Sequence, residues 1–385
     1  MNINDKLCQS RVVIVSHVYA TGPCHSLEQY LRGKATELFF IGHPFVFAKE
    51  KESHLRVYDS AGKLVKEKKS PIIVPNQTLS IVKEAILTFL WIVKNGKFDV
   101  YIGVDAANTF VGVWLKKFGF VKKVILYTID YVPQRFPNPL LNSIYHFLDQ
   151  YAIEHSDTVW NLSSIMVSER EKHGIDPRYR DKQIVVPVGT ETEVTQMPFN
   201  KIKKFSVGHI GHIVKKQGVQ LLIEAIPEIV KKIPQFHAEI IGTGEYVPEV
   251  EALAKKLDVS KYVTFHGFIQ SHTEAEKLLA QCAIGVAPYE DTPDNFVRYT
   301  DPGKVKAYLA VGLPVIITKV PAIAEEIATR KAGFAVDYDK HELAQAIIHL
   351  LSNEKTLQLF RKNAAVMGEE YQWDKIFHRA FSASL

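Results

Sequence analysis

Cysteine is scarce. The chain has three, Cys8, Cys24 and Cys282, scattered and without a Cys-x-x-Cys pair. That usage excludes a disulfide scaffold and a thiolate zinc cluster, and it fits a reducing compartment. Long apolar runs are missing as well. The longest, Ala85 to Val93, is interrupted by Thr88 and falls far short of the roughly 20 residues that span a bilayer. The opening residues, Met1 to Lys6, lack the apolar centre of a secretory signal. Heptads, low-complexity tracts and short solenoid repeats are absent. A cytoplasmic protein is expected.

What is present is globular. The 385 residues leave room for two domains of ordinary size. The net charge of +5 is uneven, +6 over residues 1–190 and −1 over 191–385. A basic first half suits peripheral contact with an anionic membrane, on its inner face, or an acidic acceptor. The plainer reading is a solvated surface. Nucleic acid is not an expected partner.

The first half alternates strand and helix. Arg11 to Ser16 reads as a buried strand, followed by a loop holding Gly22 and His25 and a short helix from Ser26. That is how a doubly wound sheet opens, and ligands sit at the carboxyl ends of such strands. Glu37 to Phe45 is a second strand. Residues 46–70 form a charged excursion with a hairpin around Ser60-Ala61-Gly62, and Pro71 to Val74 is another short strand. Ser80 to Asn95 is a helix apolar on most sides, either a core helix or one with a membrane-contacting face. Further strands fall at 98–104, ending before Asp105, and at 123–128, ending before Asp130. Strands at 158–162 and 183–188 complete the half. Residues 191–204 have no period and read as a linker. From 205 the alternation restarts, and from 355 two further helices close the chain. The class is α/β with a mostly parallel sheet in each half.

One stretch concentrates chemistry. Arg298 to Thr318 reads as a loop, a short helix from Lys304, a stop at Gly312 and a buried strand from Leu313. Asp301-Pro302-Gly303 is turn chemistry with Pro where a helix can begin. A helix start presents free N–H groups and positive dipole, and Arg298 and Lys304 stand beside it, so the local chemistry suits a phosphate.

Four more strand-to-loop junctions lie along the same sheet edge: Val207-Gly208-His209-Ile210-Gly211-His212 with Lys215-Lys216-Gln217-Gly218, Ile241-Gly242-Thr243-Gly244, His266-Gly267-Phe268-Ile269 and Ala287-Pro288-Tyr289. Each alone is an ordinary turn. In this order, with Gly312-Leu313-Pro314-Val315-Ile316 and Ala324-Glu325-Glu326-Ile327, they resemble the nucleotide-sugar-binding half of GT-B glycosyltransferases, and most of all glycosyltransferase family 4. Val185-Val186-Pro187-Val188-Gly189-Thr190 and Trp373-Asp374-Lys375-Ile376 resemble that family's layout too. The resemblance implies two Rossmann-like doubly wound domains facing across a cleft. An acceptor-side domain would occupy 1–190, a linker 191–204 and a nucleotide-sugar-binding domain 205–365, with a helix at 366–385 crossing back to the first domain.

The chain departs from the family pattern where the donor is held. His212 stands in place of an Arg and Gln217 in place of a Lys, with Lys216 beside it. Ala307 and Tyr299 stand in place of two carboxylates, one of which binds ribose. Pro302-Gly303-Lys304 ahead of Tyr308-Leu309-Ala310-Val311-Gly312 matches a subset with Pro-x-Lys instead. The resemblance then implies Lys304 and Arg298 as the groups that neutralise the diphosphate. Gly211, His212, Lys216, Gly242, Gly244, Phe268, Ile269, Tyr289, Gly303 and Tyr308 would line the donor site, and Asp301 stands in for the missing ribose ligand. Gly22, His25 and Asp105 belong to the acceptor or cleft side. Asp130, with Asp105 second, is the base an inverting enzyme would need.

The implied reaction is transfer of a sugar from a UDP- or GDP-linked donor to a hydroxyl of a glycan or lipid-linked acceptor, as in polysaccharide biosynthesis. It would be retaining, need no cofactor and bind no metal. The alternatives are another GT-B enzyme, such as a nucleotide-sugar 2-epimerase, and a non-catalytic nucleotide-sugar-binding or scaffold protein.

Overall fold

The computed structural model describes every residue except 1, 19–21, 46, 75 and 192. The chain divides into two compact units, residues 1–187 with 373–385, and residues 188–372.

The first unit begins with α1 (Ile3–Cys8), β1 (Arg11–Val18), α2 (Pro23–Leu31) and β2 (Glu37–Pro44). The hairpin β3 (Ser53–Tyr58) and β4 (Leu64–Ser70) follows, then α3 (Gln77–Asn95), β5 (Phe98–Val104), α4 (Ala106–Lys117) and β6 (Val121–Thr128). α5 (Pro139–His155), β7 (Thr158–Asn161), α6 (Ile165–Lys172) and β8 (Gln183–Val185) complete its sheet. The strand order is β4-β3-β2-β1-β5-β6-β7-β8. β3 runs antiparallel to both neighbours and the other pairs are parallel. Strands covered on both faces must be apolar throughout, and Val12 to Val15 are fully buried. β4 is the edge, exposed from Leu64 to Lys69, and its lysines discourage pairing with another chain. The strand expected at Pro71 to Val74 is not there. Ile72 and Ile73 are exposed, and Pro71, which has no N–H to give a ladder, follows directly on the edge strand.

The second unit carries β9 (Lys203–Ile210), α7 (Val219–Lys232), β10 (His237–Ile241), α8 (Val247–Lys256), β11 (Val263–Gly267), α9 (His272–Ala280) and β12 (Cys282–Ala287). It continues with α10 (Gly303–Ala310), β13 (Val315–Thr318), α11 (Ile323–Thr329), β14 (Gly333–Val336), α12 (Lys340–Ser352) and α13 (Glu354–Glu370). All six strands are parallel, in the order β11-β10-β9-β12-β13-β14. The chain ends in α14 (Trp373–Ser384), which belongs to the first unit. There Phe381 stacks on Tyr30 and meets the edge of Trp160, whose indole N–H donates to Ser384 Oγ at 2.9 Å.

Each sheet winds outward in both directions from an interior strand. The order reverses between β1 and β5 in the first unit and between β9 and β12 in the second. These switch points leave a crevice at the strand carboxyl ends.

The first unit also buries an ion. The Arg170 guanidinium is fully buried and donates to both Asp149 oxygens, at 2.7 and 2.8 Å, and to Thr128 Oγ1 at 2.8 Å. It bonds Asn161 as well and lies 4.8 Å from the Tyr131 ring centroid. This anchors the ends of β6 and β7 to α5 and α6. Removing one member of such a pair leaves the other charge stranded, at a cost of about 3–5 kcal/mol. Arg170→Met should therefore lower stability by that order in urea titration, and Asp149→Asn with Arg170→Met should recover part of it. A loss within about 0.5 kcal/mol, typical of surface substitutions, would contradict this account.

Candidate functional site

The second unit's switch point is built by backbone packed against backbone. Gly211 N donates to Ile241 O at 3.0 Å, Gly242 N to Gly267 O at 2.8 Å and Ile213 N to Thr243 O at 2.9 Å, so the loops after β9, β10 and β11 extend the parallel ladder beyond the strands. A Cβ on Gly242 would lie 1.9 Å from Gly211 O, and one on Gly218 would lie 1.6 Å from Pro288 O. Gly218 also has φ 76°, so glycine is required there twice over. Across the switch point, Tyr308 Oη accepts from Ile210 N at 3.0 Å and donates to Val286 O at 3.1 Å. Its fully buried ring occupies the space that Gly285 leaves by lacking a side chain. Tyr308 is thus a clamp joining β9 to β12.

Above this clamp stands Lys304. Its Nζ is sealed from solvent and makes no hydrogen bond. It lies 5.1 Å from the Tyr289 ring centroid and against Gly211, where an added Cβ would approach Nζ to 3.2 Å. Burial alone pulls its pKa down to about 7. Two neighbours are orphaned in the same way. His209 Nδ1 lies 3.1 Å from Val286 O, a carbonyl that only accepts, so Nδ1 carries the proton. Burial first, then the Lys304 charge, keep the ring neutral. His209 Nε2 is then a bare lone pair with no partner, and Tyr289 Oη is likewise sealed and unpartnered. Buried polar atoms are almost always satisfied. Three left open at one switch point, a cation, an acceptor and a hydroxyl, mark a place made for a polar ligand, and the cation among them suits one that carries negative charge.

Two residues along α10, Lys306 shows the opposite arrangement. Its Nζ bonds Asp301 Oδ1 at 2.7 Å and lies 3.9 Å from the Tyr371 ring centroid, while Asp301 Oδ2 accepts Val188 N at 2.7 Å. Both side chains are buried. Both Asp301 oxygens are spent inside the unit, so the structure does not leave this carboxylate free for a ribose. Arg298 sits nearby on a short 3₁₀ turn, tied to Asp291 and donating to Thr292 O at 3.0 Å. Lys216 is paired with Asp294 at 2.5 Å. Gly244 backs onto Ile213, Gly303 opens α10, His212 and Phe268 are exposed, and Ile269 is half-buried. The donor-side residues thus sort into one uncompensated cation, Lys304, and two cations already held, Arg298 and Lys216. Sequence reading missed His209 and Lys306. The signal for His209 was its place inside an otherwise apolar strand end.

The first unit's switch point is separate. His17, at the end of β1, bonds Glu84 at 2.9 Å through Nε2 and Asn108 at 3.1 Å through Nδ1. Asn108 also donates to Val104 O at 2.7 Å, which ties β1 to β5. Asp105 heads α4 with φ 66° and ψ 164°, a conformation that essentially only glycine adopts without strain. Burial first, then the Asp130 charge, push its carboxyl up to about 7. Asp130 itself is paired with Arg135. Gly22 is the N-cap of α2 and donates to His25 Nδ1 at 3.3 Å; its φ of −158° is ordinary extended backbone, and residues 19–21 before it lie outside the described residues. His25 lines a cavity of about 730 Å³ with His54, Arg56 and Lys69. Glu50, Glu52 and Glu67 share its wall. Burial, then Arg56 and Lys69, hold the His54 imidazole down to about 4.

Known proteins agree with the fold. Residues 204–353 match the family model described as "Glycosyl transferases group 1". An uncharacterized glycosyltransferase of Haemophilus influenzae is 21% identical over 214 residues, 55% of this chain and 58% of its own. The alpha-monoglucosyldiacylglycerol synthase of Acholeplasma laidlawii is 25% identical over 162 residues, 42% of this chain and 38% of its own. The chain thus spans about two-fifths to three-fifths of the length of these relatives. The crystal structure of the Anabaena protein HepE in complex with UDP superposes with a TM-score of 0.69 at 14% identity, covering 97% of this chain and 98% of that one. The fold is GT-B, and the chain resembles glycosyltransferase family 4.

Lys304 makes stability depend on pH. Its folded pKa of about 7 lies below the ordinary 10.5, so between those values the unfolded chain holds more protons. Stability therefore rises with pH across that window, by up to about 1.4 kcal/mol per unit from this one group, and below pH 7 the full penalty is present. Lys304→Met removes the charge and keeps most of the volume. Urea titrations should find the variant as stable as the parent or more so at pH 7, with the gap closing by pH 10. A variant less stable at pH 7 would contradict the placement of an uncompensated ammonium.

Proposed function

We propose that the chain is a glycosyltransferase that moves a sugar from a nucleotide-diphosphate donor, UDP- or GDP-linked, to a hydroxyl of a glycan or lipid-linked acceptor. The observation that carries this reading is the Lys304 ammonium, sealed against Gly211 at the switch point of the second unit with no counter-charge. A departing nucleoside diphosphate develops negative charge, and a pre-placed cation at a helix start stabilises it without reorganising at the moment of reaction. Lys304 and the free N–H groups opening α10 supply that. His209 Nε2 is available to accept from a sugar hydroxyl, and Tyr289 Oη to donate to a hydroxyl or phosphate oxygen.

Because Lys304 and the helix start answer the charge of the leaving group, the transfer is read as metal-independent. It is read as retaining, so no strong base is needed opposite the donor. Were it inverting, Asp105 is better set than Asp130, because its carboxyl exchanges a proton near neutrality while Asp130 is tied to Arg135. The acceptor is assigned to the first unit, where the mixed-charge cavity around His25, His54 and Arg56 suits a polar ligand. The name of the Acholeplasma relative describes synthesis of a glycolipid, in keeping with a lipid-linked acceptor met at an anionic membrane.

The test is incubation with UDP- and GDP-sugars and a panel of glycan and glycolipid acceptors, with release of free nucleoside diphosphate as readout. Lys304→Met should lower kcat/KM by on the order of 10²-fold or more. Arg298→Ala should lower it by less, because Arg298 already serves Asp291 and Thr292. Parent-like turnover in Lys304→Met would refute the assignment, and an isomerised nucleotide sugar without release would favour the epimerase reading.

A further inference from the structure

We propose that a cleft between α1, α2 and α14 in the first unit is a second anion site, built for the phosphate group of a small molecule or for free phosphate. The cleft encloses about 430 Å³, within the roughly 300–1,000 Å³ of small-ligand pockets. Tyr30 of α2 and Lys34 just beyond it stand on one side, and Lys375, His378 and Arg379 of α14 on the other. α1 leads into the start of β1, and Lys34 stands just ahead of β2, so the cleft lies at the amino ends of these strands. His17 and Asp105 mark the opposite, carboxyl ends of the same sheet.

Tyr30 supplies the first observation. It is 5% exposed, and its hydroxyl is sealed from solvent with no hydrogen-bond partner. Its ring packs on Phe377 and Phe381 of α14, with centroids 5.4 and 5.9 Å away. That packing accounts for the ring and not for the hydroxyl, since buried polar atoms are almost always satisfied. Burial, then the Asp374 charge, push this hydroxyl up to about 12, so it stays a proton donor.

Charge supplies the second. α14 is two-sided: Ile376, Phe377, Ala380 and Phe381 are buried, while Lys375, His378 and Arg379 are exposed. Their spacing of three and four residues puts these three on one face. The single carboxylate of the wall, Asp374, is mostly exposed and pairs with Lys34 at 3.2 Å. The Lys34 ammonium also lies 3.6 Å from the Tyr30 ring centroid. Lys375 and Arg379 bring two further positive charges, and a phosphate group carries about −1.5 to −2 at neutral pH. An Arg fork, an ammonium and a phenol all donate, and phosphate offers more acceptor oxygens than a carboxylate. A ligand held this way would also fasten α14 to α2. The proposal stands apart from the sugar-transfer reading.

The experiment is thermal unfolding of the full chain against inorganic phosphate and against glucose 6-phosphate, at ionic strength held constant with chloride. The melting temperature is expected to rise saturably with either, because both bind the native state. The lower half-saturating concentration identifies whether the site takes the monoester or the free ion. Lys375→Ala/Arg379→Ala should raise that concentration about tenfold. Tyr30→Phe should keep the parent's melting temperature without ligand and raise it about fivefold. Lys304→Met should leave the response unchanged. No rise with either probe, or equal half-saturation in the parent and the α14 variant, would overturn the proposal. So would loss of the response in Lys304→Met alone, which would put the phosphate at the donor site. Half-saturation in Tyr30→Phe equal to the parent's would overturn the part given to Tyr30.

Discussion

The second unit is organised around one ammonium left without a partner. A buried cation with neither counter-ion nor hydrogen bond is costly in isolation, and the structure holds Lys304 in that condition with several independent devices. Tyr308 fixes α10 to β9 and β12. Gly218 and Gly242 let the flanking loops close to backbone contact. Asp301 could have neutralised a lysine on this helix, and it does so for Lys306. Two lysines on one short helix, both with the ammonium group shut off from solvent, are treated differently: one is paired as structure and the other is left without a partner. Fold stability alone gives no reason for the second choice. A ligand that brings negative charge does.

The first unit shows the same logic with the sign reversed. At its switch point Asp105 is held in a strained backbone conformation, with a carboxyl whose proton is retained up to about neutral pH. Strain of this kind persists only where surrounding structure over-determines it, and the His17–Asn108 link between β1 and β5 is part of that surrounding. Each sheet therefore presents, at the point where its strand order reverses, a titratable group whose ordinary charge is disfavoured. Such groups are concentrated at sites of chemistry.

Much of this was legible in the sequence because glycine, proline and apolar runs carry backbone information. The alternation of strand and helix, the loops at Gly211, Gly242 and Gly267, and Lys304 at the head of a short helix all follow from local patterns. What did not follow was pairing. Asp301 reads as a free loop carboxylate until Lys306, five residues on, and the Val188 amide, more than a hundred residues before, are seen to consume it. Arg298 and Lys216 read as phosphate ligands until Asp291 and Asp294 are seen beside them. Pro71 to Val74 has strand composition, but strand composition does not distinguish a buried strand from an exposed connector after an edge. α3 was apolar on most sides in sequence, and only the fold shows that one of those sides faces solvent.

The most direct test of the central claim is proton uptake on nucleotide binding. Isothermal titration of UDP into the protein near pH 8.5, repeated in buffers of different ionisation enthalpy, counts protons taken up as the complex forms. Free Lys304 is mostly neutral there, and a bound diphosphate would return its pKa toward the ordinary value. The account predicts uptake of close to one proton per UDP, absent in Lys304→Met. UDP binding with no proton uptake, or with the same uptake in the methionine variant, would contradict it.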